Sequence, residues 1–542
     1  MPLAILAALA FTEGFLVATA PGRAERRLVT RYVQAWAHGD YGRMYSLLDS
    51  GSRRRIAEAQ FVASYRQATT TATANQFAAR HVGSRRGDAV PVQMVVRTRL
   101  FGRLRKTLDV PLAGRGSGAH VRFAGTLLFP GLRTGETLSR HTTLPPRATL
   151  FARDGTPLAQ GPNRRSPVAD VASGIAGTIG PVPASDATSY AALGYPPDAK
   201  VGVDGLERIF QPQLAGTPGG TLRAGTRVLA RSSPVPGHDV TTTIEPAIER
   251  AAIAATGGRY AGIAAMDPRD GGLLALAGVA FSALQPPGST MKIITSTGAL
   301  EAGIVRLSDT FEVRTSATID GFVLHNANGE ACGGTFLNAF AVSCNSVFAP
   351  LGAKLGAARL VDVAQRFGFN QPSSIPGAPE SQIPSARNIG GSLDVASSAI
   401  GQGQVQANAL EMTDVAATIA MGGRRPIPTL LANQPPRFVR VTSPHIARLM
   451  QRLMLAVVQF GTGTSAQISG IKVAGKTGTA ELGNPGSANS SPRNTDAWFV
   501  GYAPAGAPRI VAGALFPEQG GGGAVAAPPV HDVLAAALSA HY

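Results

Sequence analysis

The sequence predicts a multidomain α+β protein, and three observations support this fold class. The chain has 542 residues, enough for three or four domains at roughly 150 residues each. Hydrophobic residues make up 44% of it, so several packed cores can form. Segments with helix and strand periodicity alternate without a repeat. Their order predicts a small α+β domain, a connecting domain rich in Pro and Gly, and a larger domain whose single sheet is built from both ends of its segment.

The chain begins with an apolar run followed by arginines. Residues 2–20 contain only three polar side chains, and about 20 apolar residues are needed to span a bilayer. Arg23, Arg26 and Arg27 come after this run, whereas a signal peptide usually carries basic residues before it. We expect residues 1–22 to be a membrane anchor or a signal segment.

Residues 23–135 show the pattern of the small α+β domain. Helical spacing covers residues 26–48, with a break at Gly39, and residues 54–66. Three strand-like runs follow, at residues 90–98, 104–110 and 120–128.

The net charge of +17 is concentrated in this part of the chain. Residues 21–150 hold 22 Lys or Arg and 7 Asp or Glu, so the remainder is close to neutral. This location argues against a nucleic-acid partner. It fits a module beside an anionic surface, either membrane lipid or wall polymer, and it equally fits a solvated arginine-rich face.

Residues 140–235 predict the connecting, or pedestal, domain, and residues 237–542 the larger one. Within the pedestal, residues 148–159 predict a hairpin that turns at Asp154-Gly155. The larger domain is expected to start with a hairpin and to be mostly helical from residue 289 to about 422. Its expected strands and final helix are residues 260–266, 272–277, 471–475, 498–502, 510–515 and 530–541.

Lysine is rare in the chain, with six residues, and unlike arginine it can become a base. Ser289 and Lys292 lie three apart at a predicted helix start, so they share one helix face. The helix N-terminus and partial burial both favour a neutral amine, which can take the proton of Ser289 and activate it as a nucleophile. An N-capping serine before a surface lysine would give the same letters. Ser469 and Lys472 have this spacing too, but at a strand entry, where they face opposite sides.

A second motif, Ser343 and Asn345, lies between predicted helices at residues 335–342 and 346–355. A short loop there presents a hydroxyl that can pass a proton and an amide that can bind a carbonyl. Alone, this motif is equally well explained as a simple helix junction.

A third motif, Lys476-Thr477-Gly478-Thr479, follows a strand-like run. A strand edge with small residues can accept a substrate backbone, and the lysine and both hydroxyls can hold a carboxylate. A polar turn is the alternative. Residues 470–477 also match the phosphate-loop pattern G-x-x-x-x-G-K-[ST], but residues 461–469 are not a buried strand and residues 481–493 are a poor helix start, so we reject a phosphate loop.

The three motifs together, S-x-x-K, S-x-N and K-T-G, are separated by 54 and 133 residues. In this order they resemble the class B penicillin-binding proteins, which are peptidoglycan D,D-transpeptidases. Residues 202–222 also resemble the pedestal of that family, and residues 23–135 its MecA-type NTF2-like N-terminal domain. The resemblance implies a β-lactamase/transpeptidase-like fold, with an antiparallel sheet flanked by helices and a helical subdomain.

The resemblance also implies a reaction. Ser289 attacks the bond between the two terminal D-alanines of a stem peptide, D-Ala leaves, and an amine of a neighbouring stem resolves the acyl-enzyme into a cross-link. Lys292 is the implied base, Ser343 the relay of a proton to the leaving amine, and Asn345 the group that orients Lys292 and the peptide amide.

The remaining implied roles belong to the K-T-G strand. Lys476 tunes Ser343 and attracts the substrate carboxylate, which the hydroxyls of Thr477 and Thr479 bind beside Gly478. The backbone N–H groups of Ser289 and Thr479 form the oxyanion hole.

No metal or other cofactor is expected, since the nine histidines form no H-E-x-x-H pattern. Cys332 and Cys344 can form a disulfide that braces the S-x-N loop, or they can be two buried thiols. The implied partners are stem peptides, β-lactams as covalent inhibitors, the membrane through the N-terminal segment, and division or elongation proteins. The implied location is the cell membrane, with an extracytoplasmic catalytic domain.

Two other functions compete with the transpeptidase. A β-lactamase or β-lactam sensor has the same fold, but class D enzymes and their sensor relatives usually carry Val where Asn345 stands. A catalytically weak wall-synthesis scaffold is the other, and the intact motifs argue against it.

Overall fold

The structure is a computed structural model that describes residues 22–482 and 494–540. The N-terminal anchor expected at residues 1–22 lies, apart from Gly22, outside the described residues. Within residues 22–482 and 494–540, no helix combines the length and the hydropathy that a bilayer-spanning helix needs.

The helices and strands alternate along the whole chain. The α-helices are α1 (Arg23–Ala37), α2 (Tyr41–Ser46), α3 (Ser50–Arg55), α4 (Glu58–Thr71), α5 (Ala169–Ile175), α6 (Ala187–Leu193), α7 (Gly205–Ile209), α8 (Gln211–Ala215), α9 (Pro246–Thr256), α10 (Lys292–Glu301), α11 (Phe336–Ala341), α12 (Asn345–Leu355), α13 (Ala357–Phe367), α14 (Ser392–Ala399), α15 (Ala409–Ala420), α16 (Pro444–Gln459), α17 (Gly522–Val525) and α18 (Ala527–Ser539). The strands are β1 (Ala74–Val82), β2 (Ala89–Thr98), β3 (Gly102–Ala113), β4 (His120–Val121), β5 (Leu138–Thr143), β6 (Leu150–Phe151), β7 (Pro157–Ala159), β8 (Ile179–Pro181), β9 (Lys200–Gly202), β10 (Gly219–Ala224), β11 (Arg227–Ser232), β12 (Val240–Thr241), β13 (Gly262–Met266), β14 (Leu273–Gly278), β15 (Thr310–Arg314), β16 (Ser316–Ile319), β17 (Phe322–His325), β18 (Cys332–Thr335), β19 (Arg424–Pro426), β20 (Phe438–Arg440), β21 (Ala474–Glu481), β22 (Thr495–Ala503) and β23 (Ile510–Phe516).

The chain divides into two compact units, each assembled from separate stretches. The first consists of Met1–Arg147, Gly180–Val203 and Ala215–Gly237, and the second of Ala148–Ile179, Asp204–Leu214 and His238–Tyr542. Residues 140–235, for which the sequence predicts a pedestal domain, therefore contribute stretches to both units.

The first unit contains a four-stranded sheet in the order β1-β2-β3-β4 and a three-stranded sheet in the order β11-β10-β5. Alternate residues of β2, among them Val90 and Val92, are fully buried in a core that also contains Trp36 and Tyr32. This alternation is what a strand with one covered face requires.

Two predictions for the first unit were wrong in part. The run expected at residues 120–128 pairs as a strand only at His120–Val121, because the N–H of Phe123 donates to Ser52 Oγ instead of to a neighbouring strand. The helix expected over residues 54–66 is interrupted, since Ile56 is extended.

The second unit is built on a five-stranded sheet in the order β14-β13-β23-β22-β21. All its neighbouring strands are antiparallel. Helices α9 and α18 pack together against it, α15 also contacts β13 and β23, and helices α10–α16 form the helical part. The expected architecture is thus confirmed: the first strands of the domain meet its last strands in one sheet.

The stretch expected to be helical after residue 289 also contains strands β15 to β18. Strands β16 and β17 form a hairpin that turns at Asp320-Gly321, both of which have a positive φ, 52° and 84°. A two-residue turn with positive φ at both positions is the type I′ turn that Asp-Gly favours, so this hairpin carried a sequence signal that the helical interpretation missed.

Strand β21 also differs from the expectation. It begins at Ala474 and continues to Glu481, so the K-T-G motif lies within the strand and not after it. Lys476 pairs with Val500 of β22 in this strand. A phosphate loop is excluded, because Lys476 is followed by a strand where that motif needs a helix.

Candidate active site

The S-x-x-K serine lies on a tight turn that leads directly into α10. A 3₁₀ turn spans Gly288–Met291 and α10 starts at Lys292. Gly288 has a φ of 51°, and a Cβ there would lie 2.9 Å from the carbonyl carbon of Thr479. Only glycine fits this backbone conformation at so close an approach, so the turn and the K-T-G strand are held in contact.

Ser289 is half-buried and lines a cleft of about 410 Å³. The cleft brings together residues of all three motifs: Ser289, Ser343, Asn345, Thr477 and Thr479. Other lining residues come from β17 and from loops that the sequence did not single out; these are His325, Gln402, Thr462, Glu481 and Gly521–Gly523.

Lys292 lies beneath the cleft and is fully buried. Its Nζ donates hydrogen bonds of 2.7 Å to the Ser343 carbonyl, 2.7 Å to Asn345 Oδ1 and 3.3 Å to Ser343 Oγ. Burial, and secondly the charge of Lys476, hold the pKa of Lys292 well below its usual value. The neutral amine is thus favoured, although the causes are burial and a second lysine, not the helix N-terminus that the sequence suggested.

The S-x-N motif occupies the junction between α11 and α12. Ser343 has a φ of 61°, a left-handed conformation that is rare for serine. The N–H of Ser346 donates to Asn326 Oδ1 at 2.7 Å, and Cys344 is joined to Cys332 of β18 by a disulfide. Asn345 Nδ2 donates to the His325 carbonyl at 3.0 Å. Side-chain, backbone and covalent contacts therefore all hold this strained junction in place.

Lys476 reaches the same serine from the strand. It is fully buried, and its Nζ donates to Ser343 Oγ at 2.8 Å and to the Thr477 carbonyl at 3.0 Å. Burial lowers the pKa of Lys476 to about 7. The Ser343 hydroxyl consequently contacts two amines whose protonation changes near neutral pH.

The alternation of β21 separates the K-T-G side chains onto two faces. Lys476 and Gly478 face the nucleophile turn, and a Cβ on Gly478 would lie 2.8 Å from the Pro287 carbonyl oxygen. On the other face, Thr477 Oγ1 is 2.5 Å from Thr462 Oγ1, and Thr479 Oγ1 accepts a hydrogen bond of 3.2 Å from the Gly522 N–H.

The competing S-x-x-K match lies away from this arrangement. Ser469 and Lys472 are both exposed, and neither lines the cleft. Within residues 22–482 and 494–540, no group of three or more His, Cys, Asp or Glu side chains is placed to hold a metal ion.

Sequence reasoning missed Gln402 and Thr462. Gln402 falls in the stretch 399–404, which contributed to the family resemblance, but no role was given to it. Thr462 lies in a Gly-Thr loop whose only signal was its composition. Both lie beside β21 only because the sheet places that strand at its edge.

Comparisons with known proteins match every part of this organisation. Residues 261–535 match the model of the penicillin binding protein transpeptidase domain. Residues 152–242 match the penicillin-binding protein dimerisation domain, and residues 24–136 the NTF2-like N-terminal transpeptidase domain.

Among curated proteins, the chain is 36% identical over 287 residues to the peptidoglycan D,D-transpeptidase PbpA of Mycolicibacterium smegmatis. It is 32% identical over 292 residues to PbpA of Mycobacterium tuberculosis. Each alignment covers 48% of this chain and 56% of the relative, so the chain spans about half the length of the curated relatives it matches.

Two solved structures are similar over 73% of this chain. One is the D,D-transpeptidase domain of a peptidoglycan glycosyltransferase from Eggerthella lenta, with a TM-score of 0.60, 29% identity and 99% of that chain covered. The other is the penicillin G acyl-enzyme complex of penicillin-binding protein A from M. tuberculosis, with a TM-score of 0.59, 26% identity and 100% of that chain covered.

Proposed function

Because the chain belongs to the penicillin-binding protein transpeptidases, as a class B member with a MecA-type NTF2-like N-terminal domain, we propose that it is a peptidoglycan D,D-transpeptidase that acts through an acyl-enzyme on Ser289. One observation carries the proposal. A half-buried serine, two buried lysines bridged by Ser343 and the edge of β21 meet at one cleft.

Lys292 is suited to be the base that activates Ser289. A neutral amine has two N–H groups, and the Ser343 carbonyl and Asn345 Oδ1 can only accept hydrogen bonds. These two acceptors take both N–H groups and leave the lone pair free for the Ser289 proton. Ser289 Oγ then bonds to the carbonyl carbon of the penultimate D-Ala.

The proton then goes to the leaving group. The carbon–nitrogen bond breaks as Lys292 returns the proton through the Ser343 hydroxyl, 3.3 Å away, to the amine of the departing D-Ala. The backbone N–H groups of Ser289 and Thr479 stabilise the oxyanion, at about 3–4 kcal/mol per donor. In the second half-reaction an amine of a neighbouring stem attacks the acyl-enzyme, and the cross-link forms as Ser289 regains its proton.

The strand holds the end of the substrate. A protonated Lys476 supplies positive charge for the terminal carboxylate, and the hydroxyls of Thr477 and Thr479 bind it. A β-lactam carries a carboxylate and an amide carbonyl in similar positions, so it acylates Ser289 by the same steps and acts as a covalent inhibitor. Membrane anchoring through residues 1–22, an extracytoplasmic catalytic domain, and division or elongation partners belong to this proposal.

Mass spectrometry after treatment with benzylpenicillin tests the function. We expect one adduct on a peptide that contains Ser289, and none in Ser289→Ala. Ser469→Ala, in the exposed S-x-x-K match, is the matched control and should be labelled as the wild type is. An adduct that persists in Ser289→Ala overturns the assignment of the nucleophile.

Nitrocefin separates the transpeptidase from the β-lactamase of the same fold. A transpeptidase gives a burst of about one equivalent per protein and then almost no turnover, because water does not resolve its acyl-enzyme quickly. Rapid, steady hydrolysis would instead assign the protein to the hydrolases.

A further inference from the structure

The Gln402 side chain pairs with the backbone of the catalytic strand next to the K-T-G motif. With its Nε2 facing the Glu481 carbonyl, the amide of Gln402 donates to that oxygen at 3.2 Å and accepts from the Glu481 N–H at 3.1 Å. Gln402 is 7% exposed and lines the cleft. Both backbone groups of Glu481 are therefore occupied by one side chain.

The segment that carries Gln402 is fixed on its other side by the nucleophile turn. The N–H of Gly288 donates to the Gly401 carbonyl at 2.9 Å. A Cβ on Gly401 would lie 2.0 Å from the Gly288 carbonyl oxygen, so the two backbones are in direct contact. Gln402 is thus held between the turn of Ser289 and the end of β21.

The register of β21 shows what this pairing occupies. β21 is the outer strand of its sheet, and Glu481 lies opposite Thr495 of β22. Since the N–H and C=O of Glu481 point to Gln402, they point away from β22. Antiparallel pairs alternate, so Thr479 and Thr477 present their backbone groups on the same outer edge as Glu481.

We propose that Gln402 determines substrate specificity by ending the strand-pairing edge of β21 after Thr479. The inference rests on the proposed function. With the terminal carboxylate at Thr477 and the reacting carbonyl at Thr479, the donor lies antiparallel to β21, and its upstream residues lead toward Glu481. There the Gln402 amide already takes the place of a pairing residue, so the donor leaves the sheet edge.

The structure therefore assigns this site to donors that are recognised through their last residues. Backbone pairing contributes to binding up to the residue opposite Thr479, and peptide further upstream adds no pairs with the strand. Residues beyond that point are free to differ in sequence or in branching without loss of acylation.

Two penicillins with the same nucleus test this inference. Both are 6-aminopenicillanic acid acylated with an acetylated peptide, one with a single residue and the other with three. We expect the wild type to be acylated by both with rate constants within twofold of each other. A wild-type preference of fivefold or more for the longer compound overturns the proposal, and this measurement needs no variant.

Gln402→Ala opens the edge at Glu481. One additional pair of backbone hydrogen bonds is worth about 1 kcal/mol, so the longer penicillin should gain about fivefold over the shorter one. Gln404→Ala, at an exposed glutamine two residues away, is the matched control and should keep the wild-type ratio. An unchanged ratio in a Gln402→Ala protein that benzylpenicillin still labels contradicts the inference.

The two proposals fail in different ways. If neither penicillin forms an adduct on Ser289, the transpeptidase assignment itself is wrong. If both form adducts but the rates do not depend on Gln402 as described, only the role of Gln402 is wrong.

Discussion

Lys476 Nζ donates a hydrogen bond of 2.8 Å to Ser343 Oγ, and this joins two residues that are 133 positions apart. The same hydroxyl accepts from Lys292 Nζ at 3.3 Å. One serine on a helix junction therefore links the amine of a helix to the amine of a strand. The arrangement explains why both lysines are buried, since each needs a polar partner in a site that has no carboxylate beside it.

The pH dependence of acylation should show both amines. As the pH rises, Lys292 loses its proton and acylation by benzylpenicillin accelerates. As the pH passes about 7, Lys476 becomes neutral, no longer attracts the carboxylate, and acylation slows. Lys476→Arg keeps the charge, so its rate constant should not fall between pH 7 and pH 9. A profile of Lys476→Arg that still falls near pH 7 would show that another group controls that limb.

Asn345→Asp should shift the ascending limb of the same profile. Asn345 Oδ1 accepts from Lys292 Nζ at 2.7 Å, and a carboxylate at this position favours the protonated amine. We expect the pKa of Lys292 to rise, so that acylation needs a pH about one unit higher or more. Asn388→Asp adds the same charge at an exposed site and should leave the profile unchanged. Identical profiles for both variants would contradict the proposed contact.

Gly478→Ala should prevent the approach of the strand to the nucleophile turn. The added Cβ would lie 2.8 Å from the Pro287 carbonyl oxygen and 2.9 Å from the Cβ of Trp498. Since a displacement of 1 Å can cost about 100-fold in rate, we expect acylation to slow by about that factor. Gly506→Ala, where a Cβ meets nothing within 4 Å, should stay within twofold of the wild type. Stopped-flow acylation measures both, and equal rates would contradict the packing argument.

Reduction of the Cys332–Cys344 disulfide should destabilise the domain and slow acylation. Cys344 lies between Ser343 and Asn345, so releasing it loosens the motif that holds Lys292. A loop of this length contributes about 2–4 kcal/mol to the free energy of unfolding. Urea unfolding with and without reductant measures this, and Cys332→Ser/Cys344→Ser should not respond to reductant. A thiol assay that finds two free cysteines in the denatured protein would remove the bridge.

The sequence identified the motif residues because their chemistry is written in their types and spacing. Ser289, Ser343 and Lys476 meet in one cleft as the motif order predicts. Gln402 could not be found in this way, because its role comes from the free edge of β21, which depends on how the strands are ordered in the sheet. The same is true of Thr462, which has no distinguishing neighbours in the sequence.

Local pattern predicted long strands better than short ones. Strands β2 and β3, with ten and twelve residues, alternate regularly and were found. Strand β1 was missed because irregular pairing near Ala74 and Ala79 breaks its alternation. The four strands β15 to β18 have four or five residues each, too few for a periodic signal against the helices around them.

The central position of β13 has a consequence for biosynthesis. This strand pairs with β23, which is synthesised more than 240 residues later. At about 5–20 residues per second, the apolar strand Gly262–Met266 waits on the order of 10–50 s for its second neighbour. During that time its open edge is a template for pairing with other chains, so the nascent protein needs a holding chaperone until its C-terminal strands emerge.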